Sequence, residues 1–380
     1  MKIFFFIQNL GIGGVIRQLA ILTDHLARRG HDVSVVALYP IDESWKLIWK
    51  SDSIEVRPLL SRKPTVALAA IALTQATLEL RSLLKRESVQ ILYSCEGPIA
   101  SFIAWLATRG LRKTKLIWGI RGVGLKNDLS EYDWKISLPS HLCKLVSASV
   151  PLMIFNSEAA YARYRTRGYR CMQQRVVDNG FDVDQFKPDS QARARIRSEW
   201  NIEDKWLIGI VGRIDPSKGH AIFLEAAALL AKERENVRFV CVGNGSSTYL
   251  SKLKLLSGGL NLTEILIWAG VRGDMSAVYN ALDILCLSSY REGFPNVIGE
   301  AMACGVPCVV ADVGDSAKIV GDKGIVVPPG DPQMLATGLE AMLLKLSDIN
   351  SFEIRDRIVK HFTIEEMVDK TEKALIQLLA

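Results

Sequence analysis

Arg291-Glu292-Gly293-Phe294-Pro295-Asn296-Val297-Ile298-Gly299-Glu300 sets two carboxylates eight positions apart, the first in a Gly/Pro loop and the second on the helix that follows. Just before it, Ala281 to Leu287 is apolar except for Asp283 and reads as a buried strand. The segment is therefore strand, loop, helix, and in an open parallel sheet such loops lie at the carboxyl edge, where ligands bind. Pro295 suits the first helical turn, where its missing N–H costs nothing. The N–H groups and positive end of that helix would face an anion such as a phosphate, with Glu292 beside it to bind hydroxyls. The bland alternative is an ordinary helix start with two solvated glutamates.

Outward from this segment, apolar runs alternate with longer amphipathic ones, the sign of βαβ units and a parallel sheet. Strands are predicted at Lys2–Gln8, Val33–Leu38, Ile54–Pro58, Ile91–Ser94, Lys115–Gly119, Leu152–Phe155 and Arg175–Asp178, with helices near 14–29, 65–86, 131–147 and 157–167. The polar stretch Asp182 to Gln191 breaks the rhythm and reads as a linker. Strands then resume at Trp206–Val211, Val237–Val242, Leu266–Trp268, Ala281–Leu287, Pro307–Ala311 and Gly324–Val327. Such near-continuous apolar runs are expected of strands covered on both faces. The fold class is α/β, two tandem doubly wound Rossmann-like domains, with 1–185 as the first, 186–360 as the second and 361–380 as a C-terminal helix.

A chain of 380 residues is long enough for two domains. Its 49% hydrophobic and 23% charged residues are ordinary for a globular protein. No run reaches the roughly 18–20 apolar residues needed to span a bilayer, and Met1–Ile7 reads as a first strand rather than a signal peptide. Seven cysteines without a Cys-x-x-Cys, Cys241 and Cys286 inside predicted strands, fit a reducing cytoplasm. Five scattered histidines offer no metal-ligand spacing. Residues 1–185 carry 25 Lys/Arg against 16 Asp/Glu, and residues 186–380 carry 22 against 25. The basic half points to a polyanion, anionic lipid or nucleic acid.

The segment from Glu292-Gly293-Phe294-Pro295 to Glu300-Ala301-Met302-Ala303-x-Gly305-x-Pro307 resembles the Glu-x7-Glu signature of the family 4 retaining glycosyltransferases, whose members have two Rossmann domains facing a cleft, the GT-B fold. Other parts of the pattern recur in order. Val211-Gly212-Arg213-Ile214-Asp215-Pro216-Ser217-Lys218-Gly219-His220 puts two cations in a glycine-bearing loop that could grip a diphosphate from two sides. The resemblance makes Arg213 and Lys218 the phosphate clamp and Glu292 the third catalytic residue. Gly243 ends a strand near the nucleotide, Val271 and Arg272 meet the base through backbone groups, and Phe294, Pro295, Asn296, Val297 and Glu300 complete the donor site, with Glu300 on the ribose. In the first domain Asn9-Leu10-Gly11-Ile12-Gly13-Gly14 fails the G-x-G-x-x-G spacing, because Ile16 holds the third glycine position. It resembles instead the family's first glycine loop, so Gly13 and Gly14 join the donor set. Where many members carry a histidine near the sugar, this chain has Arg121, an acceptor contact. Asn156-Ser157 and Asn179-Gly180 read as a helix cap and a turn. Asp182-Val183-Asp184 mimics a metal motif of another glycosyltransferase fold but sits beside the linker.

The resemblance implies a metal-independent retaining hexosyltransferase with no cofactor, metal or nucleic acid. The donor is a nucleotide-diphosphate sugar, UDP being the expected nucleotide. The acceptor is a glycan or lipid-linked, in bacterial surface polysaccharide or lipopolysaccharide synthesis, with the protein cytoplasmic and peripheral at the inner membrane face. The C-terminal helix is expected to return to the first domain. The rivals are a nucleotide-sugar epimerase of the same fold, a glycoside hydrolase using two carboxylates, and a non-enzymatic nucleic-acid-binding module. The last rests on Tyr161, Tyr164 and Tyr169 among four arginines, which one half-buried helix face explains more simply.

Overall fold

In the computed structural model, which describes residues 1–11, 13–41, 49, 54–65, 69–95, 97–122, 134–202 and 204–380 (of residues 134–137 the backbone only), the chain folds into two units, each a parallel sheet clad in helices. Met1–Gly180 with Ile364–Ala380 form the first, and Phe181–Thr363 the second. The division falls at Gly180/Phe181, ahead of the polar stretch, because Phe181 and Phe186 are buried in the second core.

The first unit runs β1 (Lys2–Ile7), α1 (Gly14–Arg28), β2 (Asp32–Ala37), β3 (Glu55–Pro58), α2 (Ala69–Arg86), β4 (Ile91–Cys95), α3 (Pro98–Thr108), β5 (Lys115–Ile120), α4 (Trp134–Val146), β6 (Leu152–Phe155), α5 (Glu158–Thr166) and β7 (Gln173–Val176). The expected starts of α2 and α4 overlap residues 66–68 and 131–133, which lie outside the described residues. The sheet order is β3-β2-β1-β4-β5-β6-β7. Along β1, Phe4 and Phe6 enter one apolar layer and Ile3, Phe5 and Ile7 the other, all with no exposed surface. Each such side chain contributes roughly 1.5–3 kcal/mol by leaving water. This two-sided burial is why the strand reads as an unbroken apolar run.

The second unit runs α6 (Ser190–Glu199), β8 (Trp206–Val211), α7 (His220–Glu233), β9 (Val237–Val242), α8 (Ser247–Gly259), β10 (Leu266–Gly270), α9 (Met275–Ala281), β11 (Ile284–Leu287), α10 (Asn296–Ala303), β12 (Cys308–Ala311), α11 (Ser316–Val320), β13 (Ile325–Val327), α12 (Pro332–Lys345) and α13 (Ser351–His361). Its sheet order is β10-β9-β8-β11-β12-β13. The last helix, α14 (Ile364–Leu379), packs on α1 with Met367, Val368, Ala374 and Leu375 buried. Arg29 ties it down through Asp369 and Glu372, both at 2.6 Å.

Three elements differ from expectation. Ala281 closes helix α9 and the strand begins only at Ile284, because an apolar run alone does not separate a buried helix end from a strand. Asp283, the residue that breaks that run, is buried and accepts hydrogen bonds from Arg193 (2.6 Å), Arg197 (3.0 Å) and the Leu207 amide (2.7 Å). It fastens α6 to β8. The unexpected helix α3 is apolar nearly all round, so it shows little amphipathic period. The final strand of the first sheet lies two residues earlier than its apolar pattern suggested.

Each strand order reverses once, between β1 and β4 in the first sheet and between β8 and β11 in the second. The loops leaving two such neighbouring strands diverge, which opens a crevice at their carboxyl ends. In the second unit the cationic loop leaves β8 and the Glu292 loop leaves β11, so strand order alone brings together segments far apart in the chain.

Candidate functional site

The loop after β8 is built by its own side chains. The Asp215 carboxylate accepts from the Ser217 amide (3.0 Å) and hydroxyl (2.6 Å), with Pro216 opening a short 3₁₀ turn at Pro216–Lys218. Burial would raise the Asp215 pKa, but these two donors and the nearby Arg213 and Lys218 charges outweigh it and hold the carboxyl below its ordinary range. Gly219 then takes a left-handed conformation at φ 68°, and a Cβ there would lie 1.9 Å from the Ser288 carbonyl oxygen. Only glycine fits. The Ser288 hydroxyl in turn donates to the Gly219 carbonyl (2.9 Å), sewing the two loops together.

Within this frame Lys218 Nζ donates to Glu292 Oε1 at 2.6 Å, and Ser289 Oγ donates to the same oxygen at 2.7 Å. Glu292 is thus pinned through one carboxylate oxygen. The Gly293 carbonyl accepts from the Asp315 amide at 2.9 Å, which buttresses the loop from the β12 side. Arg213 is the exposed partner, its side chain 72% accessible and its Nε 3.9 Å from Asp215. The helix α10 starts at Asn296 with Pro295 as its N-cap residue, one position earlier than expected for the proline, and no side chain caps it. Two cations, one carboxylate and a helix N-terminus therefore share the carboxyl edge of β8 and β11.

The remaining donor-site residues fall into distinct settings. Phe294 points into the core against Phe181 and Phe362, at ring distances of 6.1 and 5.8 Å, so it offers a ligand only its main chain. Val297 is half-buried. Glu300 is buried on α10 and accepts from the Tyr279 hydroxyl at 2.6 Å. Gly243, at φ 140°, is required by the fold itself, since a Cβ there would lie 1.8 Å from the Gly212 carbonyl oxygen. Val271 is 76% exposed. The Arg272 side chain is held by Glu199 (2.5 Å) and Asp274 (2.9 Å), which raise its pKa, and lies over the Trp200 ring, leaving backbone groups for any contact with a base. In the first unit Gly13 and Gly14 open α1, and a Cβ at Gly13 would meet nothing within 4 Å. Ile12 lies outside the described residues. Arg121, just past β5, is buried, with Nη1 3.4 Å from Asn179 Oδ1.

Other sequence signals have structural explanations. Asp182 Oδ1 accepts from the amides of Asp184 (3.1 Å) and Gln185 (2.8 Å), a local turn. Ser157 caps α5. Tyr161 and Tyr164 pack edge-on against Phe155, and Tyr164 meets Tyr169, so the three rings belong to the core layer rather than a stacking surface. Sequence reading missed Ser289, Ser288 and His220. The first two carry no spacing signal, since their partners belong to another loop. His220 opens α7 fully buried, with neither ring nitrogen bonded among the described residues. Burial, aided by the Lys218 charge, pushes its pKa down to about 4, so the ring is neutral at pH 7.

The family model described as Glycosyl transferases group 1 matches residues 205–345, and that described as Glycosyltransferase Family 4 matches residues 12–185. Among similar proteins, the D-inositol 3-phosphate glycosyltransferase of Segniliparus rotundus is 30% identical over 199 residues, covering 50% of this chain and 44% of that protein. The UDP-Gal:alpha-D-GlcNAc-diphosphoundecaprenol alpha-1,3-galactosyltransferase of Escherichia coli is 27% identical over 215 residues, 55% of each chain. The chain thus spans about half the length of the curated relatives it matches. Anabaena HepE in complex with UDP superposes with a TM-score of 0.83 at 21% identity, covering 99% of this chain and all of that one. Sucrose-phosphate synthase from Thermosynechococcus elongatus gives 0.83 at 18%, covering 100% and 99%. At such identities these likenesses show the fold alone, two Rossmann-like domains of the GT-B kind. With its two halves matched by the two family models, the chain belongs to the family 4, group 1 glycosyltransferases.

Proposed function

We propose that the protein is a retaining glycosyltransferase that moves a hexose from a nucleotide-diphosphate donor, UDP being the expected nucleotide, to a glycan or lipid-linked acceptor. The observation that carries this reading is the meeting of Lys218, Glu292 and Arg213 at the carboxyl edge of β8 and β11. A diphosphate needs cations and backbone donors. Arg213 is exposed and Lys218 is held within reach, and the uncapped α10 terminus adds a positive end. Charge that builds on the leaving diphosphate would be stabilised there, and such stabilisation usually dominates this kind of catalysis. Glu292, anchored through Oε1, keeps its other oxygen for sugar hydroxyls. Buried Glu300 is assigned to the ribose, with Tyr279 fixing its carboxylate. The family resemblance assigns Gly13 and Gly14 to donor binding, and the open Cβ position at Gly13 suits a ligand at the main chain.

In this reading a leaving-phosphate oxygen takes the acceptor proton, so no side-chain base is needed and no divalent ion need neutralise the diphosphate. The E. coli relative acts on a diphosphoundecaprenol-linked sugar by its name, which favours a role in bacterial surface polysaccharide or lipopolysaccharide synthesis. No described helix is long and apolar enough to cross a membrane. The basic first half is assigned to the anionic inner leaflet, through Arg62, Lys63, Arg109, Arg112, Lys113 and Lys115, with exposed Ile71 and Leu78 on α2. Arg57 is left out of this patch, being paired to Glu55 and Glu87. The test is incubation with a panel of nucleotide sugars, reading nucleotide release, then NMR of the glycoside formed with acceptor. Release from one donor and an axial product from an axial donor support the reading. Absence of release across the panel, or an inverted product, refutes it.

A further inference from the structure

In the first unit a cavity of about 290 Å³ opens beside the end of β5, walled by Val15, Pro98, Trp118, Arg121, Tyr164 and Tyr169 among others. The volume is at the lower limit of ligand pockets, room for one small ring. Two donors in its wall have no partner among the described residues. Trp118 is 1% exposed and its indole Nε1–H is unbonded. Arg121 is 7% exposed, its Nε–H has no partner among the described residues, and its Nη1 makes a long contact to Asn179.

An arginine cannot shed its proton, and burying a charge without a counter-ion is costly. Among the described residues no carboxylate pairs with Arg121 or lines the cavity. Asn156 and Tyr93, described residues beside it, are neutral. The Asn156 amide donates to the Arg121 carbonyl at 3.1 Å. The Tyr93 ring crosses β5 over Gly119, where a Cβ would lie 2.2 Å from it, and brings its hydroxyl beside the guanidinium. The positive end of α3 also faces this wall, since Pro98 lines the cavity and no side chain caps the helix.

We infer that this cavity binds an oxyanion, a phosphate or carboxylate carried on a small ring or short apolar stem, held by the Arg121 fork and the Trp118 N–H. The anion supplies a counter-charge that no described carboxylate gives Arg121, and the aromatic and apolar walls cover the rest of the ligand. That the ligand is the acceptor of the transfer rests on the proposed function. The binding site itself does not.

The experiment is calorimetric titration of the full chain, without nucleotide sugar, with glucose 6-phosphate, glucuronate, farnesyl phosphate and, as neutral control, glucose. At least one anionic probe should bind at least tenfold more tightly than glucose. Arg121→Gln should weaken it by about 10- to 100-fold, the usual loss of a hydrogen bond to a charged group. Trp118→Phe should weaken it less. UDP binding to both variants should stay at the wild-type level, which separates failure here from failure at the donor loops. Glucose 6-phosphate as the best probe would mark a free sugar phosphate as the source, and farnesyl phosphate a lipid carrier. If Arg121→Gln does not fold, Arg121→Lys keeps the charge without the fork and should still lose bidentate affinity. Binding of glucose equal to the anions, or anion binding unmoved by these substitutions, overturns the inference.

Discussion

His220→Leu is a sharp test of the packing beneath the cationic loop. The folded protein holds this imidazole at about 4 against an ordinary 6.5, chiefly by burial. The unfolded chain therefore binds a proton between those values that the folded chain refuses. Stability from the neutral ring is fully present above pH 6.5 and is lost as pH falls toward 4. The gap corresponds to about 3 kcal/mol at its limit, from roughly 1.4 kcal/mol per unit, with about 2.5 kcal/mol of it gone by pH 4.5. For a unit of this size that is a drop of about 5–10 °C in melting temperature. Leucine has no proton to gain and no orphan nitrogen to desolvate. At pH 7.5 the variant should be at least as stable as wild type, because replacing an unpaired buried polar group by an apolar one is neutral or favourable. Calorimetric melting of both proteins from pH 4.5 to 7.5 reads the difference. Parallel pH profiles, or a variant much weaker at pH 7.5, would show that the ring is bonded or solvated and that burial does not govern its protonation.

Gly219→Ala forces a Cβ onto the Ser288 carbonyl at a left-handed φ. Strain and overlap each cost about 1–3 kcal/mol, so urea unfolding should shift markedly and transfer should fall, and an unshifted midpoint would contradict the loop geometry. Glu292→Gln should abolish most transfer with the fold intact by circular dichroism, and a far larger loss in Glu300→Gln would reverse the assigned roles. Activity should survive excess chelator, whereas strict dependence on manganese or magnesium would bring Asp182 and Asp184 back into account. The protein should sediment with anionic vesicles at low salt and release at high salt, each basic residue near the surface contributing about 1 kcal/mol; equal sedimentation with neutral vesicles, or none with either, would count against the basic patch.

The strands of the second unit were legible because both faces are buried. Trp206–Val211 and Val237–Val242 stand at the expected residues. Helix α3 was not, since a helix that is apolar nearly all round shows no polar face to mark its period. Asp283 looked like an interruption in an apolar run, and only the fold reveals the two arginines of α6 that compensate it. The cations at 213 and 218 and the carboxylate at 292 were visible as separate loop residues. Their meeting depends on β11 lying beside β8, a non-local fact that spacing does not carry. Ser289 and Ser288 were silent for the same reason. Phe294 illustrates the opposite error, since a conspicuous residue inside a signature motif is there to anchor the loop in the core.

Titration of UDP into wild type, Arg213→Ala, Lys218→Ala and Arg121→Gln by isothermal calorimetry reaches the central claim directly, that the loops after β8 and β11 grip a nucleotide diphosphate. Removing either cation should weaken UDP by about 10- to 100-fold, the expected loss of a charge-assisted hydrogen bond, while Arg121→Gln binds as wild type. Wild-type affinity for UDP in both Arg213→Ala and Lys218→Ala would contradict it.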